Sequence, residues 1–242
     1  MNIQQAINQQ TKNKLFVSLA LKPGRTGETF YNALFKHHDI DAEYVACECI
    51  DLTNDITIAR NICAGISVTM PYKTQLTPFI DNWHCDVGIA NTIKVESGAL
   101  VAYNSDLSGL RDILTDQLTG KTITLLGDGA MAQNIIKIAN TATVKQYSRR
   151  LDNWNNRHSA SDILINATSI GMNIDESPVD EINAELVIDC VIGKTKLNNM
   201  STNCISGAEI YLAQFKHQFE IYTDIQPNAD KIAEVARELF YD

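Results

Sequence analysis

Apolar positions along the chain fall into two rhythms. Short runs rich in consecutive or alternating apolar residues read as strands: Leu15 to Leu21, Glu43 to Cys49, Gly65 to Thr69 and Val101 to Asn104, then Thr122 to Leu126, Thr143 to Tyr147, Ile163 to Ala167 and Leu186 to Val191. Spacings of three and four predict helices over Thr29 to Lys36, Leu107 to Leu118, Ala130 to Ala139 and Glu209 to Ile221. A last helix is expected to open at Pro227, a favoured first-turn residue, and to place Ile232, Val235, Ala236 and Leu239 on one face. Strands alternating with helices imply an α/β fold with a parallel sheet. The 242 residues are enough for two α/β domains, which the pattern divides near Asp106.

Composition narrows the partners. Hydrophobic residues make up 45% and charged residues 20%, which excludes disorder, collagen and coiled coil as the main architecture. The net charge of −9 argues against nucleic acid and anionic membrane, while a small anionic ligand stays open because a pocket can be locally positive. The chain has no apolar run of about 18 residues. Its start, MNIQQAINQQTKNK, lacks the segments of a secretion signal, so a cytoplasmic protein is expected. Six cysteines without a C-x-x-C pair and five histidines without ligand spacing give no expectation of a metal. The pattern leaves monomer and homodimer equally open.

The chemistry begins at Gly127-Asp128-Gly129-Ala130-Met131, which follows a strand and opens a helix. In that context glycines let backbone N–H groups approach a pyrophosphate at a helix N-terminus. The alternative, an Asp-Gly hairpin turn, is disfavoured by the helical period of Met131, Ile135 and Ile138. Asp128 sits unfavourably against a phosphate unless it points away. About 20 residues on, Ser148-Arg149-Arg150 ends the next strand, where an acidic residue reads a ribose 2′-OH and arginine suits a 2′-phosphate. The arginine pair favours NADP over NAD; a solvated surface pair is the plainer alternative.

Lys73, in SVTMPYK, falls at an expected helix start at Pro71, where the helix dipole would lower its pKa toward general acid–base use, and a solvated lysine that tolerates the position is the equal alternative. Asp106 reads equally as the N-cap of the helix from Leu107 and as a carboxylate partner for that lysine.

SVTMPYK, IANTIKVESGALVAYNSDLSGL, LLGDGAMAQ, INATSIGM and AEIYLAQFKHQFEIYT occur in the order found in shikimate dehydrogenases, and the resemblance runs from about Leu15 to the end. The chain is therefore identified as a member of that superfamily. The resemblance implies a substrate domain over 1–105, rejoined by the last helix at 226–242, and a Rossmann-type NADP domain over 106–225. It implies reversible hydride transfer between NADPH and 3-dehydroshikimate, with Lys73 as the acid–base group and Asp106 as its partner. Thr69, Asn91 and Gln214 match positions that contact the substrate hydroxyls. Thr168 and Ser169 match the loop lining the nicotinamide side, and Ile192 and Gly207 complete the expected cofactor set with Gly127 to Met131 and Ser148 to Arg150. Local capping and backbone bonding are the alternative duties of Thr69, Asn91 and Gln214.

Departures from the family pattern bear on the substrate. Two serines that bind the substrate carboxylate are replaced by Arg25 and Gly27, a tyrosine by Ile192, and the phosphate turn carries Ala130-Met131 and Gln133. A bidentate bond from Arg25 to the carboxylate would offset much of that loss, and a solvent-exposed loop arginine is the equal alternative. The same chemistry on quinate or another cyclic hydroxy acid is the alternative, with a non-catalytic NADP- or metabolite-binding module behind it.

Overall fold

The computed structural model describes residues 1–86, 88–172 and 175–240. The chain divides into two compact units, Met1–Ser105 with the segment from Phe215 onward, and Asp106–Gln214. The return to the first unit therefore comes at Phe215, inside a helix, and not at 226; residues 241 and 242 of the expected last segment lie outside the described residues.

The first unit opens with α1 (Ile3–Gln9), β1 (Lys14–Ala20), α2 (Thr26–His37), β2 (Ala42–Glu48), α3 (Leu52–Ile62) and β3 (Gly65–Val68). A single 3-10 turn, Tyr72–Thr74, leads to β4 (Asn82–Trp83), β5 (Thr92–Glu96) and β6 (Ala99–Tyr103). The six strands lie in the order β2-β1-β3-β5-β6-β4. The sheet is mixed, not wholly parallel: β5 runs antiparallel to both β3 and β6. Alternate residues of β1 face opposite ways. Leu15, Val17 and Leu19 enter a core with Ile56, Ile66, Val68 and Ile93. Phe16 turns to the other face, into an aromatic cluster with Phe35 and Tyr222.

The second unit comprises α4 (Ser105–Leu118), β7 (Thr122–Leu126), α5 (Ala130–Ile138), β8 (Thr143–Tyr147), a 3-10 turn at Trp154–Asn156, β9 (Ile163–Asn166), β10 (Leu186–Asp189), α6 (Lys196–Met200) and β11 (Cys204–Ile205). It ends in α7 (Gly207–Thr223), whose second half belongs to the first unit, as does α8 (Ala229–Phe240). Its five strands are all parallel, in the order β11-β10-β9-β7-β8. The chain thus leaves β7 toward β8 on one side and β9 on the other, and in such sheets ligands bind beyond the strand C-termini at this switch point. The strands feed a core on each face: Ile123, Leu125, Ile163, Ile165 and Ile188 on one, Leu126, Leu164 and Val187 on the other.

Three expected helix starts shift. Helix α8 begins beyond Pro227, and Asn228 caps it by accepting the N–H of Lys231 at 2.9 Å. Helix α4 begins at Ser105, so Asp106 lies in its first turn and is not the N-cap. No helix follows Pro71, only the three-residue 3-10 turn, which has too few aligned peptides to act as a macrodipole on Lys73.

Candidate active site

In the first unit, main-chain bonds gather three of the expected residues. Thr69 N–H donates to the Leu19 carbonyl at 3.1 Å, and its own carbonyl closes the following turn by accepting from Tyr72 at 2.8 Å. The Lys73 carbonyl accepts the N–H of Ala90 at 3.2 Å, and the neighbouring Asn91 carbonyl accepts from Val68 at 2.8 Å. Thr69, Lys73 and Asn91 therefore stand together where β3 ends beside the start of β5. The Met70–Pro71 peptide between Thr69 and Lys73 is cis.

The Asn91 amide is a local clamp. Its Oδ1 accepts the N–H of Ser105 at 2.8 Å, and its Nδ2 donates to Ser105 Oγ at 2.8 Å. Ser105, the last residue of this stretch of the first unit, is thereby held against Asn91. Behind it lies a buried polar chain that the sequence reading missed. Tyr44 Oη donates to Ser67 Oγ at 2.6 Å, and Ser67 and Tyr31 both donate to Gln218 Oε1. Gln218 Nε2 then donates to Thr92 Oγ1 at 2.6 Å, and Thr92 Oγ1 to Asn91 Oδ1 at 3.1 Å. Burial raises the phenols of Tyr44 and Tyr222 far from neutrality, so these hydroxyls stay protonated as donors.

In the second unit Asp106 is 4% exposed in the first turn of α4. One turn on, at the spacing that shares a helix face, is Gly109. A Cβ there would lie 2.6 Å from the main-chain nitrogen of Gln214, so only glycine permits this approach of α4 and α7. Gly109 escaped the sequence reading; its signal was the three-residue spacing from Asp106. Gln214 is 4% exposed, and its buried Nε2 has no hydrogen-bond partner among the described residues. A buried donor left unmade costs free energy.

The glycine turn follows β7 at the switch point. Gly127 adopts φ +113°, and a Cβ there would meet the Ala167 carbonyl at 2.7 Å. Gly127 and the Ala167–Thr168 segment are thus in contact at the ends of β7 and β9. Gly129 caps α5 without a side-chain bond, the helix's first turn holds no acidic residue, and none of the described residues crowds the glycine's missing Cβ. An open helix N-terminus of this kind suits a pyrophosphate, which meets the first test of a dinucleotide fit. Ala130 is the first residue of α5, and Met131 packs against the core.

The Asp128 carboxylate is bonded by side chains that follow β8. Arg150 donates to both its oxygens at 2.8 Å, and Ser148 Oγ donates to Oδ2 at 2.9 Å. The guanidinium holds the Asp128 carboxyl below the usual carboxylate range. Arg149 is exposed beside them.

Thr168 is held locally: its hydroxyl donates to Asn166 Oδ1 at 2.7 Å and accepts from the N–H of Ile170. Asn166 in turn donates to buried Asp189 at 2.9 Å. Ser169, the next residue, is exposed. Gly207 lies against the Val191–Ile192 backbone so closely that a Cβ would overlap it, which explains the glycine by packing and brings Ile192 and Gly207 together.

Arg25 departs from its expected part. It sits at the start of α2, its side chain 79% exposed, and its guanidinium donates to Glu28 at 2.6 Å and 3.2 Å. It is committed to a neighbouring carboxylate, and Glu28 in turn accepts the N–H of Ala46.

Fold and geometry together define a two-unit α/β protein with a nucleotide-type turn on a parallel sheet and a lysine–asparagine–threonine group on a mixed one. Comparison with known proteins gives the family. The family model for the shikimate dehydrogenase substrate binding domain matches residues 28–93. A shikimate dehydrogenase (NADP(+)) of Pyrococcus abyssi is 30% identical over 254 residues, covering 92% of this chain and 94% of that one. The solved structure of a shikimate 5-dehydrogenase-like protein superposes with a TM-score of 0.80 at 27% identity, covering 95% and 98%. That of the Thermus thermophilus shikimate 5-dehydrogenase in complex with NADP(H) and shikimate gives 0.77 at 19%, covering 94% and 100%, a likeness of fold alone. The chain belongs to the shikimate dehydrogenase family.

Proposed function

We propose that this chain is an NADP-dependent oxidoreductase that interconverts shikimate and 3-dehydroshikimate. The observation that carries the reading is the main-chain grouping of Thr69, Lys73 and Asn91 at the end of β3. A lysine for proton transfer, beside a threonine and an asparagine able to bond a hydroxyl, is a set that suits an alcohol–ketone conversion.

Lys73 takes the proton of the reacting hydroxyl during oxidation and returns it during reduction, with Asp106 as its paired carboxylate. Thr69, Asn91 and Gln214 orient the ring hydroxyls, Gln214 through the Nε2 donor that has no partner among the described residues. The bound dinucleotide accepts or supplies the hydride. Gly127, Gly129, Ala130 and Met131 would hold its pyrophosphate at the start of α5. Ser148, Arg149 and Arg150 would face its adenosine ribose, and Thr168, Ser169, Ile192 and Gly207 its nicotinamide side.

One observation favours a second reading of the substrate. With Arg25 paired to Glu28, the segment expected to meet the carboxylate presents neither serine hydroxyls nor an uncommitted guanidinium there. The same chemistry on quinate or another cyclic hydroxy acid answers that change. Initial rates with NADP+ over a panel of such acids separate the two. The first reading predicts the highest kcat/KM for shikimate; a larger value for another acid replaces shikimate with it. Absence of turnover across the panel overturns both.

A further inference from the structure

The clasp on Asp128 has a consequence for cofactor choice. Register pairs Leu126 of β7 with Tyr147 of β8, so the residues after each strand flank one edge of the sheet. The frame there is tied: Gly127 N–H donates to the Tyr147 carbonyl at 2.9 Å, and Gln146 Nε2 donates to the Gly127 carbonyl at 2.9 Å. Asn153 braces the next turn by accepting from Ser148 N–H and donating to the Gln146 carbonyl. On this frame the carboxylate of the glycine turn and an arginine after β8 are bonded to each other.

We infer that Asp128 is a specificity-determining residue: by holding Arg150 it withholds that guanidinium from a 2′-phosphate and keeps the preference for NADP over NAD low. The inference rests on the dinucleotide reading of the site. Arg150 spends two of its five donors on Asp128 at 2.8 Å each. A 2′-phosphate arriving there still meets the exposed Arg149, but it finds Arg150 neutralised and a like charge beside it, which costs binding. A 2′-hydroxyl meets neither penalty, because it carries no charge and can donate to a carboxylate, which has about four acceptor sites, three of them taken by Arg150 and Ser148. Ser148 Oγ, donating to the same carboxylate, keeps it turned this way.

The test is equilibrium binding of NADP+ and NAD+ to the full chain at low ionic strength, where such charge effects are not screened. Wild type is compared with Asp128→Asn, Asp128→Ala, Arg150→Ala and the double variant Asp128→Asn/Arg150→Ala. Both Asp128 variants are expected to raise the NADP+/NAD+ affinity ratio about fivefold or more, on the scale of an exposed charge pair and its like-charge counterpart. In the Arg150→Ala background the gain from Asp128→Asn shrinks. An unchanged ratio in both Asp128 variants overturns the inference while leaving the dinucleotide reading intact. An equal gain without Arg150 overturns it too. Failure of wild type and variants to bind either nucleotide overturns the dinucleotide reading and this inference with it.

Discussion

Lys73 and Ala90 share one main-chain hydrogen bond, 3.2 Å from the Ala90 nitrogen to the Lys73 carbonyl, and it makes the lysine and Asn91 neighbours across eighteen positions of sequence. The position of Lys73 thus depends on sheet pairing and not on a helix. The 3-10 turn holding it spans only Tyr72–Thr74, so the acid–base role proposed for it rests on the groups around it.

Gln214 gives the clearest separation of function from stability. Its buried Nε2 has no partner among the described residues, so replacing the amide with an apolar chain of similar length removes an unmet donor. Gln214→Leu is expected to melt at or above the wild-type temperature while the substrate KM rises about tenfold, the scale of one lost hydrogen bond. A lower melting temperature with unchanged KM contradicts this.

Gln218 behaves in the opposite way. It joins Tyr31 and Ser67 to Thr92 and is 5% exposed. Gln218→Leu leaves several buried hydroxyls unmatched and is expected to cost about 1–3 kcal/mol for each group left so. Urea unfolding measures it, and an unchanged midpoint at constant slope refutes it.

Much of the second unit could be read directly. Strands β7 and β8 occupy the positions that alternation predicts, and the glycine turn is where the strand-to-helix change placed it. The first unit hid more. Helix α3, LTNDITIARNI, is rich in β-branched and polar residues of modest helix propensity, and tertiary packing of Leu52, Ile56 and Ala59 decides it. Strand β5, TIKVE, has lysine and glutamate among few apolar residues, and it is set by antiparallel partners on both sides. Among candidate residues, motif order singled out Lys73 and Asn91, whose main chains the structure brings side by side. The commitments of Arg25 to Glu28 and of Asp128 to Arg150 were not, because ion-pair choice depends on side-chain placement.

Gly127 tests the cofactor turn. A methyl group there meets the Ala167 carbonyl at 2.7 Å on a backbone at φ +113°. Gly127→Ala is expected to lose about 1–3 kcal/mol of stability from the strained backbone and to weaken dinucleotide binding. Gly98, with positive φ but open surroundings, is the control: Gly98→Ala carries strain without affecting nucleotide affinity. Equal affinities for both variants contradict the assignment.

The Asp128–Arg150 pair predicts a pH dependence. The carboxyl's folded pKa is depressed, chiefly by the Arg150 bond, so its contribution is present above the unfolded value and is lost as pH falls through the folded one. Thermal melts of wild type and Asp128→Asn are expected to differ at neutral pH and to converge below the normal aspartate range. A difference that grows on acidification has the wrong sign for this pair.

The most direct test of the proposed chemistry is the initial rate of NADPH formation from shikimate and NADP+, in wild type and Lys73→Ala. Wild type is predicted to turn over, and the variant to keep its dinucleotide affinity while kcat falls by about 10²–10⁴, the range for a lost general acid–base group. A Lys73→Ala protein as fast as wild type contradicts the role assigned to that lysine and, with it, the reading of the site.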